Sequence, residues 1–85
     1  MIEEKIEDYQ EWFEAIQKTS KLLKQLKPNG NVHLRNFLVD YLNELQSDRE
    51  SLQRCIEHDL INGNLSEEHR RILEELAFEV DTYQI

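Results

Sequence analysis

Residues 32–62 read VHLRNFLVDYLNELQSDRESLQRCIEHDLIN, and the fold turns on whether this stretch is one helix or two. Leu34, Phe37, Leu38, Tyr41, Leu42 and Leu45 recur at helical spacing on one broad face. After the polar run Gln46 to Ser51 a second set follows: Leu52, Cys55, Ile56, Leu60 and Ile61. Between the halves Asp48 falls where the repeat expects a core residue. Ser47-Asp48-Arg49-Glu50 also has the form of a capping box, which would let a helix stop and restart. No Gly or Pro enforces a stop, so one continuous or slightly kinked helix is the expectation.

Upstream, Lys27-Pro28-Asn29-Gly30-Asn31 breaks the chain, because the residue before proline avoids the helical region and Asn-Gly supplies a turn. Before that break, Ile2, Ile6, Tyr9, Phe13, Ile16, Ser20 and Leu23 step by four and three, a seven-residue repeat with one polar member at Ser20. Trp12, Leu22 and Leu26 widen this stripe on one flank. Downstream, Asn62-Gly63-Asn64 reads as a C-cap and turn. Ser66 then reads as an N-cap, with Glu67 and Glu68 in the first turn of a helix burying Ile72, Leu73, Leu76, Val80 and Tyr83. The expected fold is all-α: a single domain over 1–85 forming an antiparallel three-helix bundle, with helices 2–27, 32–62 and 66–84.

The three helices differ in length. At ~1.5 Å per residue they span roughly 39, 46 and 28 Å, so the third falls short of covering the hairpin made by the first two. Running back from residue 66 it reaches about residue 45 of the second helix. Leu22, Leu26, Leu34, Phe37, Leu38, Tyr41 and Leu42 are left at the hairpin's far end and form the candidate interface. A core of 85 residues is marginal without a staple or an oligomer, and a lone cysteine rules out an intrachain disulfide. A homodimer in which each hairpin end covers the other is therefore expected.

Charge narrows the partners. The net charge is −8, and it is unevenly placed. Acids crowd the first half of the first helix (Glu3, Glu4, Glu7, Asp8, Glu11, Glu14), and Lys18, Lys21, Lys24 and Lys27 follow in its second half. That order is the one a helix dipole favours. The four lysines advance in steps of three and spread over about half the helix circumference, so they make no single basic stripe. Direct nucleic-acid binding, which rests on neutralising phosphates, is disfavoured. Acids flanking every apolar face disfavour a membrane surface. No apolar run has the ~18 residues of a membrane span, and the opening lacks the basic start and apolar stretch of a secretory signal, so a cytoplasmic protein is expected.

Signals for chemistry are weak. Cys55 and His58 lie three apart and His69 lies beyond the turn, a thinkable zinc set. It lacks a fourth ligand, and Cys55 on the apolar stripe reads as a small buried hydrophobe. The adjacent acids Glu67/Glu68 and Glu74/Glu75 face water in a charged helix rather than a desolvated pocket. Five arginines (Arg35, Arg49, Arg54, Arg70, Arg71) show no convergent arrangement, and no phosphate-cradling loop or nucleophile elbow is present. The reading is an acidic helical protein–protein interaction module, an adaptor, assembly factor or inhibitor that binds itself and another protein and uses no catalytic residue, metal or cofactor. The alternative is an acidic regulator or DNA mimic that occupies a basic site on a nucleic-acid-binding protein.

Overall fold

The computed structural model describes residues 1–85 and contains three helices and no strand: α1 (Ile2–Gln25), α2 (Val32–Asn62) and α3 (Glu67–Thr82). α2 runs unbroken through Ser47-Asp48-Arg49-Glu50. A capping box works only where a chain enters a helix from extended backbone, and here no residue breaks the preceding turn.

The breaks fall where local chemistry demands them. α1 ends two residues earlier than the spacing predicts, because Leu26 is already extended (φ −77°, ψ 131°) on the approach to Pro28. Asn29 and Gly30 then take positive φ (49° and 85°), the left-handed pair for which Asn and Gly are best suited. Asn31 does more than break the chain. Its Oδ1 accepts the Leu34 backbone N–H at 3.1 Å and so caps α2. Ser66 caps α3 in the same way, accepting the His69 N–H at 3.2 Å. α3 stops at Thr82 rather than residue 84. Gly63 is extended (φ −78°) rather than left-handed, so the turn needs glycine for another reason. A Cβ there would stand 2.5 Å from the Asp59 carbonyl oxygen, which accepts the Gly63 N–H.

Contacts between side chains fix how the helices pair. The start of α1 meets the end of α2 through Lys5 and Asp59, and the start of α3 meets the end of α2 through the Arg70 guanidinium and the Leu60 carbonyl. Arg49, midway along α2, donates to the carbonyls of Asp81 (3.4 Å) and Tyr83 (2.8 Å) at the end of α3. Phe13 of α1 packs edge-on against Tyr83, with ring centroids 5.6 Å apart. The chain is a rod of 52 × 20 × 17 Å.

Its core comprises Ile6, Phe13, Ile16, Leu45, Leu52, Ile56, Leu73, Leu76 and Val80. Ile72 and Tyr83 are half-buried at its edge. In α2 the buried row steps by seven through Leu38, Leu45, Leu52 and Asp59, and Leu42, Arg49 and Ile56 interleave with it. The polar interruption in the repeat is therefore Arg49; Asp48 is exposed. Cys55 is exposed and Ile61 is 81% exposed, where the apolar spacing had placed both on the core face. Cys55 lies on the flank shared with Tyr41 and Asp48, and Ile61, two residues past Asp59, lies nearly opposite the buried row.

Candidate functional site

At the hairpin end the seven candidate interface residues divide. Leu22 (64%), Leu26 (48%), Phe37 (48%) and Tyr41 (42%) are exposed. Leu34 and Leu42 are half-buried, and Leu38 is buried within the single chain, in register with Leu45 and Leu52. The Phe37 and Tyr41 rings lie against one another with centroids 4.7 Å apart, as an i,i+4 pair allows. Val32 and Val39 add further exposed apolar surface around the same end of α2.

Why these rings are exposed differs from the length argument. Tyr41, Asp48 and Cys55 form one row stepping by seven, and Asp48 and Cys55 are exposed even beside α3. α3 grips α2 from Arg49 and Leu60, about 100° or more round the helix from that row. A longer α3 would pass Tyr41 by. The aromatic pair lies on an outward flank of the hairpin.

A polar cluster joins α1 to α2 at the opposite end. The Asp59 carboxylate, in a residue only 8% exposed, accepts a hydrogen bond from the Tyr9 hydroxyl and pairs with the Lys5 ammonium at 3.4 Å. His58 Nδ1 stands 3.8 Å from the same carboxylate. Burial alone would raise the Asp59 pKa, but the Tyr9 hydrogen bond and the Lys5 charge outweigh it and hold the carboxyl below its ordinary value. Burial, and then the bond to Asp59, push the Tyr9 phenol above its ordinary range. Both shifts oppose catalysis at neutral pH, because they make Asp59 a weaker base and Tyr9 a harder group to ionise. The arrangement is suited to holding two helices in register.

His69 Nε2 leans on Glu3 at 3.6 Å, and no three His, Cys, Asp or Glu side chains are grouped so as to hold a metal ion. The lysine run is partly engaged: Lys18 pairs with Glu14 at 3.0 Å, and Lys24 donates to the Gln84 carbonyl at 3.0 Å.

One surface escaped the sequence reading. Between α1 and α3 lies an open groove of about 400 Å³, with Phe13, Ile72 and Leu76 on its floor and Glu14, Glu75 and Glu79 on its rim. Phe78, 68% exposed, sits against Glu74, Glu75 and Glu79 on the outer side of the same rim. Its signal in the sequence was an aromatic residue two positions from both Leu76 and Val80, on the face of α3 nearly opposite the buried row. No helix is long and apolar enough to cross a membrane. No family model matches this chain, and neither a curated protein nor a solved structure does.

Proposed function

We propose that this chain is an acidic helical interaction module, built as an antiparallel three-helix bundle, that works by holding proteins and not by catalysis. Its self-association surface is the hairpin end. The observation carrying this reading is the exposure of four large apolar side chains near this end of the chain, Leu22, Leu26, Phe37 and Tyr41, with the Phe37 and Tyr41 rings against one another. Exposed apolar surface marks interaction sites on soluble proteins where it gathers into a patch. A two-fold dimer is the simplest arrangement: each copy lays its aromatic pair against the other's Leu22 and Leu26. A cytoplasmic adaptor, assembly factor or inhibitor fits this chemistry.

Sedimentation velocity at micromolar concentration tests it. The expected species is a dimer, and replacing Phe37 and Tyr41 together by Ser should release a monomer that keeps its helical signal. A monomer of 10.3 kDa in the unmodified protein would remove the self-association reading. The second reading, an acidic regulator that occupies a basic site, is supported by the carboxylates grouped around Phe78 and the α1–α3 groove.

A further inference from the structure

α1 carries a second seam beside its core stripe. It steps by three and four through Trp12, Ala15, Thr19, Leu22 and Leu26, about 100° round the helix from the stripe, and holds no charged residue. The bundle leaves it open: Trp12 and Thr19 are half-buried and the other three are exposed. Contacts fix the side on which it lies. Lys5 and Tyr9, which reach α2 at Asp59, lie on the seam's side of the core stripe, whereas Gln10, Glu14 and Gln17, which line the α1–α3 groove, lie on the other. On α2 the row of Phe37, Tyr41, Asp48 and Cys55 lies likewise on the Asp59 side, away from Arg49 and Leu60, which meet α3. Both rows therefore open on one face, the α1–α2 face opposite α3.

We propose that a second copy of the chain docks on this face, with the two rods side by side, hairpin ends together, and each α1 lying on the partner's α2. The proposal rests on the self-association reading and adds its face, extent and orientation. The area is sufficient, since a face of 52 × 20 Å offers about 1,000 Å² where each partner of a standard interface buries ~800 Å². Ala15 and Thr19 at mid-seam let the facing helix approach between the larger Trp12 and Leu26. Charge then selects the orientation. The start of α1 lies beside the end of α2, so at that level α1 borders the face with Asp8 and Glu11, and α2 borders it with Arg54, whose guanidinium donates to Ser51 Oγ at 3.5 Å. Nearer the hairpin turn the signs exchange: α1 has Lys18, and α2 has Asp40 and Glu44. None of these four acids enters an ion pair within the chain, and Lys18, although bound to Glu14, keeps a side chain 72% exposed. With hairpin ends together each acid faces a cation, and Leu22 and Leu26 face the aromatic pair. Reversing one rod so that Glu11 meets Lys18 would instead lay Leu22 and Leu26 over Glu7 and Glu3. A surface that carries both halves of every pair is complementary to its own copy, which is the requirement of a two-fold interface.

Sedimentation velocity, with circular dichroism to follow the fold, tests the face. Ala15→Arg places a long cation at mid-face on a position already exposed in the single chain, so it should keep the helical signal and weaken the dimer by at least about tenfold. Gln10→Arg, the same charge change on the α3 side of α1, should leave the dimer intact. Lys18→Glu and Glu44→Lys should each weaken it by about fivefold, and the two together in one chain should restore it. A distance measurement tests the orientation without touching the face. Spin labels on Asn64→Cys in a Cys55→Ser background should lie within about 40 Å of one another when the hairpin ends meet, since packed helices stand only 8–10 Å apart. They should lie near or beyond the 52 Å length of the rod when one rod is reversed. A dimer that survives Ala15→Arg, or labels a rod's length apart, would overturn the proposal. If such a dimer is still released by Phe37→Ser with Tyr41→Ser, self-association through the hairpin end stands and only the face or orientation falls. A double charge exchange weaker than either single change would overturn the pairing of α1 with the partner's α2. A monomer in the unmodified protein would remove this proposal and the self-association reading together.

Discussion

The two ends of this rod use the same seven-residue repeat and reach different outcomes. Where α3 is present, Leu52, Ile56, Leu73 and Val80 are wholly buried. Beyond Arg49 only two helices remain, and there Leu38 and Leu45 are the buried residues of α2 while Leu22, Leu26, Phe37 and Tyr41 face outward. The contrast teaches that periodicity specifies a stripe, but the number and side of neighbouring helices decide how wide a stripe is buried. Arg49 stands at the border. It holds a seam position in α2 and places its cation at the C-terminus of α3, where the carbonyls are unsatisfied and the dipole is negative.

The largest expected effect comes from breaking the three-helix end. Leu52→Ala should cost about 2–5 kcal/mol, since it opens a cavity among side chains from all three helices. Leu38→Ala, with fewer neighbours to lose, should cost visibly less in the same urea titration. Equal losses would mean that the hairpin end is as well packed as the bundle, and the contrast between the two ends would disappear.

Asp59 sharpens the comparison from the other direction, because it ties α1 to α2 by charge rather than by packing. Asp59→Asn keeps the shape and an acceptor for Tyr9 but loses the charge that strengthens both bonds, and should cost about 1–3 kcal/mol. Lys5 is well exposed, so most of that loss belongs to the Tyr9 bond. The pH dependence has two limits. The folded Asp59 pKa lies below its unfolded value, so its contribution is complete above pH ~4 and is lost as pH falls through the lower, folded value. The Tyr9 pKa is raised, so its contribution is complete below the ordinary phenol value of 10.0 and declines as pH climbs above it. Chemical denaturation across pH should show both edges in the unmodified protein and lose the acid-side contribution in Asp59→Asn.

Much of this was legible in the sequence. The repeat in α1 marked Ile6, Phe13, Ile16 and Ser20, all buried, and Ser66 announced itself as a cap by the acids after it. Asp59 carried a readable signal too, since steps of seven from Leu38 through Leu45 and Leu52 arrive at it. What the sequence withheld was which flank of α2 each neighbour would cover. Cys55 sits one flank away from the chosen side and Ile61 nearly opposite it, and so both are exposed although their residue types are apolar. Asn31 read as a breaker because its role in capping depends on the extended backbone that Pro28, Asn29 and Gly30 impose before it.

A smaller effect separates the helix caps from the core. Ser66→Ala should cost about 1 kcal/mol, because the His69 N–H loses its acceptor at the positive end of α3. Glu67 and Glu68 continue to favour that end through the dipole, which limits the loss. An unchanged midpoint of thermal or urea unfolding would show that the acids alone hold the first turn.

The smallest effect, and the only one of opposite sign, belongs to Ser20→Ala, at a residue close to the border between the two regions. Its side chain is fully buried and its hydroxyl has no hydrogen-bond partner. An unpartnered buried hydroxyl costs folding free energy, although a serine within a helix recovers part of it by turning toward a carbonyl one turn back. Ser20→Ala removes the hydroxyl, leaves the volume almost unchanged and improves helix propensity, so it should stabilise by about 0.5 kcal/mol. Ser20→Leu completes the apolar repeat and should nevertheless destabilise, by about 1–3 kcal/mol, because a site closed around a small residue has no room for three more carbons. Urea midpoints of the two variants decide the matter. A stabilising Ser20→Leu would mean that the three-helix packing is loose as far as residue 20, and the border between the two regions would move into the body of the bundle.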